Sequence, residues 1–377
     1  MKAYLDNAAT TALSQEVIDE MLPFMKQHYG NPSSIHAYGR EVRSKMEKGR
    51  KLISKLLNCS PSEIYFTSSG TETNNTVIKG CVKSLGVKNI ISSKIEHHCV
   101  LHAVEEMGKL PDINVHYVDL DEKGHVCFSS LENLLDKVEG KTLVTLMHAN
   151  NEVGNLVDLK SMSVLCRKYD AYLHSDTVQT LGHYPIDLQE LDVDFISGSG
   201  HKIHGPKGAG LLYINGNLKI DAFIHGGSQE RNMRAGTENT YGIIGLIKAL
   251  ELAHENMDSD IVLVQSLKDY MIEQLESKIP NVSFNGDAKG SSLYTVLNVN
   301  IPAGKDSDML LFNLDIAGIA ASSGSACSSG SSVGSHVLSN IGGVCEGSAS
   351  IRFSFSKYTG REEIDYAVES LERILGL

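Results

Sequence analysis

The chain has 377 residues, 41% hydrophobic and 21% charged, and its 34 Lys+Arg against 46 Asp+Glu give a formal net charge of −12. That length suggests two or three structural units with ample core, and the ordinary globular composition excludes wholesale disorder. The acidic balance argues against a general nucleic-acid binder, which needs clustered Lys and Arg, and no apolar run approaches the roughly 18 residues of a membrane helix.

Taken in order, Met1-Lys2-Ala3-Tyr4-Leu5-Asp6 has neither a basic start nor an apolar stretch, so secretion is not expected and a cytoplasmic enzyme is. Short β-rich runs then alternate with longer helix-like stretches. The predicted strands are Ile64–Thr67, Asn89–Ser92, Val115–Val118, Leu143–Met147, Tyr172–Ser175 and Phe195–Ser197, with amphipathic segments such as Thr73–Ser84 and Leu159–Tyr169 between them. Such alternation implies βαβ units and a mostly parallel sheet, whose ligands bind at the carboxyl ends of the strands. Polar clusters follow the strands at those ends: Ser68-Ser69-Gly70-Thr71, Asn150-Asn151-Glu152, Asp176-Thr177-Val178-Gln179 and Gly198-Ser199-Gly200-His201-Lys202.

A helix over Thr240–His254 leads to a polar boundary at Glu255–Asp260, a second helix near Ile261–Ser277, and strands at Leu293–Ile301 and Ser350–Phe355. The last helix places Ile364, Val368, Leu371 and Leu375 on one face. The pattern reads as a large α/β domain followed by a smaller α+β domain. Ser322–Ser335 is almost wholly Ser and Gly, a composition that favours a mobile loop. The seven cysteines form no CxxC pair, which argues against a disulfide framework or zinc ribbon and fits a reducing compartment. Six of them sit beside apolar or helical sequence, where inert thiols are the default; Cys327 lies inside the Ser/Gly segment.

Several residue groups could carry chemistry, each with a plainer reading beside it. Ser68–Thr73 joins a strand to a helix, where small residues let backbone N–H groups approach an anion, or where Thr71 or Thr73 simply caps the helix. Lys202 closes an apolar strand between glycines and could serve as an amine nucleophile or be an ordinary surface lysine. Asp176, at a strand end, could pair with a cationic ring nitrogen or cap a helix. The histidines lack metal-ligand spacing, although His97 could stack on an aromatic ring. Cys327 could be a reactive mobile thiol or an incidental one. Arg352, in an apolar alternating strand, could receive a substrate carboxylate or form a structural salt bridge.

The order and spacing of these groups together resemble the NifS/IscS-type cysteine desulfurases, pyridoxal-phosphate enzymes of the class V aminotransferase fold. The resemblance runs through Tyr4–Thr11, Gly30–Ser34, Thr67–Glu72, Glu96-His97-His98, His148–Glu152, Ser175–Gln179, Ser197–Gly208, Arg234–Thr237, Ser322–Ser329 and Ile351–Ser354, with Ser-Gly-His-Lys and Ser-Ser-Gly-Ser-Ala-Cys the most specific matches. It implies a PLP-transferase fold of the aspartate-aminotransferase type: a large, mostly parallel-sheet domain over 14–255, and a smaller α+β domain from 1–13 and 256–377 that carries the cysteine loop. It implies pyridoxal 5'-phosphate held covalently by Lys202, stacked by His97, paired at its ring nitrogen with Asp176, and bonded at its phenolic oxygen by Gln179 with Asn151 nearby. Gly70, Thr71, Ser199 and His201 would hold the phosphate, and Thr237 would reach across from a second subunit, which implies a homodimer with shared active sites. Arg352, with Asn151, would bind the carboxylate of L-cysteine. His97 would serve as acid/base for the substrate thiol, and Cys327 would accept the sulfur as a persulfide.

The sulfur would pass to an acceptor protein, an iron–sulfur scaffold or a tRNA-thiolation enzyme. IscS-type members continue past their last helix into a scaffold-docking tail, whereas this sequence stops at Leu377, so a different acceptor is an open expectation. An aminotransferase or lyase of the same fold needs no thiol at 327, and a selenocysteine lyase is a further alternative. A non-catalytic scaffold would have no reason to keep Lys202, Asp176, Gln179 and Arg352 together. His98, Cys99 and Cys345 carry no assigned role and are expected to be structural.

Overall fold

Alternating strands and helices build the computed structural model, which describes residues 1–303, 309–323, 334–342 and 348–377. β1 (Ala3–Tyr4), α1 (Gln15–Lys26) and α2 (Ala37–Leu56) precede an alternation of β2 (Ile64–Thr67), α3 (Gly70–Gly80), β3 (Asn89–Ser92), α4 (His98–Met107), β4 (Asn114–Tyr117), α5 (Phe128–Lys137), β5 (Thr142–Thr145), α6 (Leu159–Lys168) and β6 (Tyr172–Asp176). Next come α7 (Leu188–Leu191), β7 (Phe195–Ser199), β8 (Gly210–Ile214), α8 (Thr240–Glu255) and α9 (Met257–Lys278). The C-terminal part adds β9 (Ser283–Phe284), β10 (Val296–Pro302), α10 (Leu310–Ile316), β11 (Ile319–Ala320), α11 (His336–Asn340), β12 (Ser348–Ser354) and α12 (Arg361–Leu375).

The main sheet has the order β2-β8-β7-β6-β5-β3-β4. Its strands run parallel except β8, which is antiparallel to both β7 and β2. Neighbouring residues along a strand face opposite sides. Ile91, Val144, Leu173, Ile196 and Leu211 therefore pack with Val42, Met46, Met162 and Leu246 on one face. Ile90, Leu143, Phe195 and Leu212 pack with Val77, Ile78, Val100 and Val104 on the other. Helices cover both sides, which is why these strands read as continuous apolar runs. A second core joins Ala3 and Leu5 to Val264, Leu267 and Met271 of α9, Leu297 and Val299 of β10, Ile351 and Phe353 of β12, and Ile364, Val368 and Leu371 of α12. Its sheet is antiparallel, in the order β12-β10-β9.

The structure adds one strand to those read from the sequence and details one boundary. Gly210–Ile214 is a buried strand, placed by the turn at Gly208, whose φ of +76° suits glycine. The polar boundary expected at Glu255–Asp260 falls at the junction of two helices: α8 ends at Glu255 and α9 begins at Met257, so its charges lie mostly on the first turn of a helix.

Candidate active site

β2, β3, β5, β6 and β7 run in the same direction, so the segments that leave them meet at one edge of the sheet. There they enclose a cavity of about 210 Å³. Gly70, Thr71, His97, Asn151, Asp176, Gln179, Ser199, His201, Lys202 and Arg352 all line it, together with Ala8, Ala9 and Cys99. Two residues named from the sequence are not among them. Thr237 is exposed and is not among the residues that line this cavity, and Cys327 falls outside the described residues.

The anion end is built by the start of α3, where the Ser69 side chain caps the helix by accepting from the Glu72 N–H. Gly70 is required there, because a Cβ would stand 2.6 Å from Val178 Cγ2. The helix N-terminus presents unpaired backbone N–H groups and a positive dipole end to the cavity. Glu72 braces the turn from behind, accepting from Ser68 N–H at 2.9 Å and pairing with Arg234 at 3.0 Å. Burial would raise its carboxyl, but Arg234 and Ser68 hold it below the usual range.

Asp176 is buried at the end of β6. Its Oδ1 accepts from Val178 N–H at 2.9 Å and from the Ser197 hydroxyl at 3.2 Å, and its Oδ2 accepts from Asn74 Nδ2 at 2.7 Å. His97 caps α4, its Nδ1 accepting from Cys99 N–H at 3.2 Å. Burial holds the imidazole below its ordinary pKa, against the opposite pull of Asp176. His201 is pushed down to about 4, by burial and then by Lys202 and Lys207. The Lys202 amine donates to the carbonyl oxygens of Ala8 and, at 2.9 Å, of Ala9, while Gln179 Nε2 donates to Ala8 O at 3.2 Å. The N-terminal segment thus crosses over Lys202.

Arg352 is 1% exposed. Its Nη1 donates to Asn151 O and its Nη2 to Asp6 Oδ1, both at 2.9 Å, and its Nε has no partner among the described residues. Arg352 therefore forms the salt bridge that one sequence reading offered, and it also lines the cavity.

Sequence reasoning missed the carbonyls of Ala8 and Ala9, the amide of Asn74 and the thiol of Cys99. Backbone oxygens leave no mark in the amino-acid letters, and Asn74 reads as one polar position in an amphipathic helix. Cys99 shows one usable signal, its place two residues after His97 at a helix start. Burial, then the Asp176 charge, pushes its thiol up to about 12.

The aminotransferase class-V family model matches residues 3–367. The chain belongs to the class-V aminotransferase family. Among its relatives, a protein named cysteine desulfurase IscS from Dictyoglomus turgidum is 45% identical, over 99% of this chain and 94% of that protein. A solved NifS-like protein superposes with a TM-score of 0.91 at 36% identity, covering all of both chains. Another structure, SspA in complex with cysteine, gives a TM-score of 0.81 at 30% identity over 95% of this chain and 100% of that one. Class-V aminotransferases imply pyridoxal 5'-phosphate, and the cavity's residues fit it. A helix N-terminus with room only for Gly70 suits a phosphate, a buried carboxylate suits a protonated ring nitrogen, and the Lys202 side chain lines the same cavity. Among the described residues no three His, Cys, Asp or Glu side chains are placed to hold a metal ion, and no helix is long and apolar enough to cross a membrane.

Proposed function

We propose that the chain is a pyridoxal-phosphate-dependent cysteine desulfurase that converts L-cysteine to L-alanine and carries the sulfur on Cys327. One observation supports this most: both described ends of the Cys327-bearing segment attach to residues around the cavity. Ser322 exchanges backbone hydrogen bonds with Arg352, and its hydroxyl donates to Asp6 Oδ1 at 2.8 Å. At the other end the Ser335 hydroxyl donates to Glu152 Oε2, and His336 Nε2 donates to the carbonyl of Glu96, beside His97. Cys327 follows Ser322 by five residues, which bounds its distance from that anchor at roughly 18 Å.

Gly70, Thr71, Ser199 and His201, with Thr237 of a second copy, would hold the phosphate. Asp176 would keep the ring nitrogen protonated, Gln179 and Asn151 would serve the phenolic oxygen, and His97 would stack on the ring. When bound, the cofactor supplies an electron sink for the charge left at the substrate Cα. Arg352 orients the substrate by its carboxylate. The Lys202 amine, held in the resting site by the carbonyls of Ala8 and Ala9, removes the Cα proton. The Cys327 thiolate then attacks the substrate sulfur: an S–S bond forms, the Cβ–S bond breaks, and its electron pair stays with Cβ; protonation of Cβ and return of the Cα proton by the Lys202 amine give alanine.

The working unit is a homodimer with shared sites, in keeping with Thr237 not lining its own chain's cavity and with Ile35 90% exposed on the loop between α1 and α2. Sedimentation of a single-chain mass would refute it. The domain division at 14–255, with 1–13 and 256–377 together, follows the two cores. Working in the cytoplasm, the enzyme would hand its sulfur to an iron–sulfur scaffold or a tRNA-thiolation protein. The test is alanine formation from L-cysteine by the loaded enzyme and by Cys327→Ala. Wild type should form alanine, and the variant should retain the cofactor's visible absorbance yet lose turnover by at least about a hundredfold, as for removal of an essential nucleophile. Unchanged turnover would favour a lyase that releases sulfur directly.

A further inference from the structure

Between the Asp176 carboxylate and the His97 ring lie two side chains that nothing so far has used. Asn74 is fully buried in α3, and its Nδ2 stands 2.7 Å from Asp176 Oδ2 and 3.1 Å from Cys99 Sγ. Cys99 Sγ stands 2.9 Å from His97 Nδ1. The directions of these bonds follow from donor chemistry. A carboxylate can only accept, so the Asn74 amide must turn its NH2 toward Asp176; the flipped amide would set two acceptors against each other. The second N–H of that group then donates to the Cys99 sulfur, and Asn74 Oδ1 is left buried without a partner among the described residues. The Thr71 hydroxyl also lies against this sulfur. A thiol that accepts from Asn74, and that burial keeps protonated, donates its own S–H to His97 Nδ1. The backbone N–H of Cys99 points at the same nitrogen from 3.2 Å, and an amide N–H cannot accept. Two donors therefore converge on Nδ1, which must be the unprotonated nitrogen.

We propose that Asn74 and Cys99 are positioning residues that fix His97 as its Nε2–H tautomer, so that His97 meets the substrate as a hydrogen-bond donor to sulfur and not as the base that takes the thiol proton. The inference rests on the desulfurase reading only where it speaks of sulfur. A neutral imidazole has one lone pair, and here that pair is committed to Cys99. The remaining nitrogen carries the proton and can stabilise a substrate thiolate, which ionisation of free cysteine supplies near its ordinary pKa of about 8.5. The carboxylate that governs the ring nitrogen thus also sets, through one amide and one thiol, the tautomer of the imidazole above that ring.

The test uses loaded enzyme with 15N-labelled histidine, without substrate, and His97 signals assigned by their loss in His97→Gln. The expected spectrum has a pyridine-type Nδ1 and a pyrrole-type Nε2. Cys99→Ala, which keeps the backbone donor, should admit a measurable share of the other tautomer, and Cys99→Ser should restore the first. A pyrrole-type Nδ1 in the wild type, or a spectrum indifferent to Cys99→Ala, overturns the proposal. Because the spectra need no turnover, an enzyme with the expected tautomer that forms no alanine overturns the sulfur assignment and leaves the Asn74–Cys99 relay supported.

Discussion

Asp6→Asn removes the negative charge beside Arg352 while keeping the shape of the side chain. The guanidinium it leaves is 1% exposed and retains the Asn151 carbonyl at 2.9 Å. Breaking a fully buried ion pair costs about 3–5 kcal/mol because the surviving charge stays desolvated. Asp6 is 18% exposed on its side chain, and one uncharged acceptor survives, so about 2 kcal/mol is a reasonable discount. At roughly 2 °C per kcal/mol for a chain of this size, the melting temperature should fall by about 4 °C. The informative comparison adds saturating L-alanine, the product, whose carboxylate would enter the cavity and resupply an anion to Arg352. Differential scanning of wild type and Asp6→Asn, each with cofactor, should show the gap without alanine and a smaller one with it. An equal gap in both conditions would mean that the ligand carboxylate does not reach Arg352, and the substrate-anchoring role would fall.

Two further consequences concern the phosphate cradle and a buried lysine. Gly70→Ala would drive a Cβ into Val178, so the apo-protein should lose about 1–3 kcal/mol of stability and the displaced cradle should lower cofactor affinity by at least about tenfold; unchanged affinity in a cofactor titration would remove Gly70 from the cradle. Lys268, 1% exposed and bonded to Ser292 Oγ at 2.7 Å, is pushed down from 10.5 to about 8 by burial. Between those pH values the unfolded chain binds a proton that the native state does not, so stability should rise with pH through that window, by up to about 3 kcal/mol, and stay flat below it. Urea midpoints of wild type and Lys268→Met should differ in favour of the variant at pH 7.5 and less so at pH 9.5; parallel pH profiles would refute the buried-charge argument.

The strand–helix alternation was legible because consecutive strands such as Asn89–Ser92 and Tyr172–Asp176 are short, apolar and followed by polar turns. The direction of the sheet then told where those turns would meet, and ten of the residues named from sequence do line one cavity. What escaped was chemistry that depends on position rather than type. Gly210–Ile214 was hidden because no α-helix separates it from β7 and it pairs antiparallel, outside the strand–helix alternation that revealed the others. Asn74 and Cys99 were hidden because an amide and a thiol on helices are ordinary, until packing sets one against Asp176 and the other against His97. Asp6 likewise reads as a turn residue, and only the parallel bridge between Asp6 and Ser354 brings it to Arg352.

The central claim is that this cavity delivers sulfur from L-cysteine to Cys327. It is tested most directly by mass spectrometry of the loaded enzyme after brief exposure to L-cysteine, with alkylation and peptide mapping. The expected result is one added sulfur atom on the peptide containing Cys327, appearing in step with alanine and absent when L-alanine replaces L-cysteine. Alanine formed with Cys327 unmodified, or added sulfur on other cysteines alone, would contradict the account.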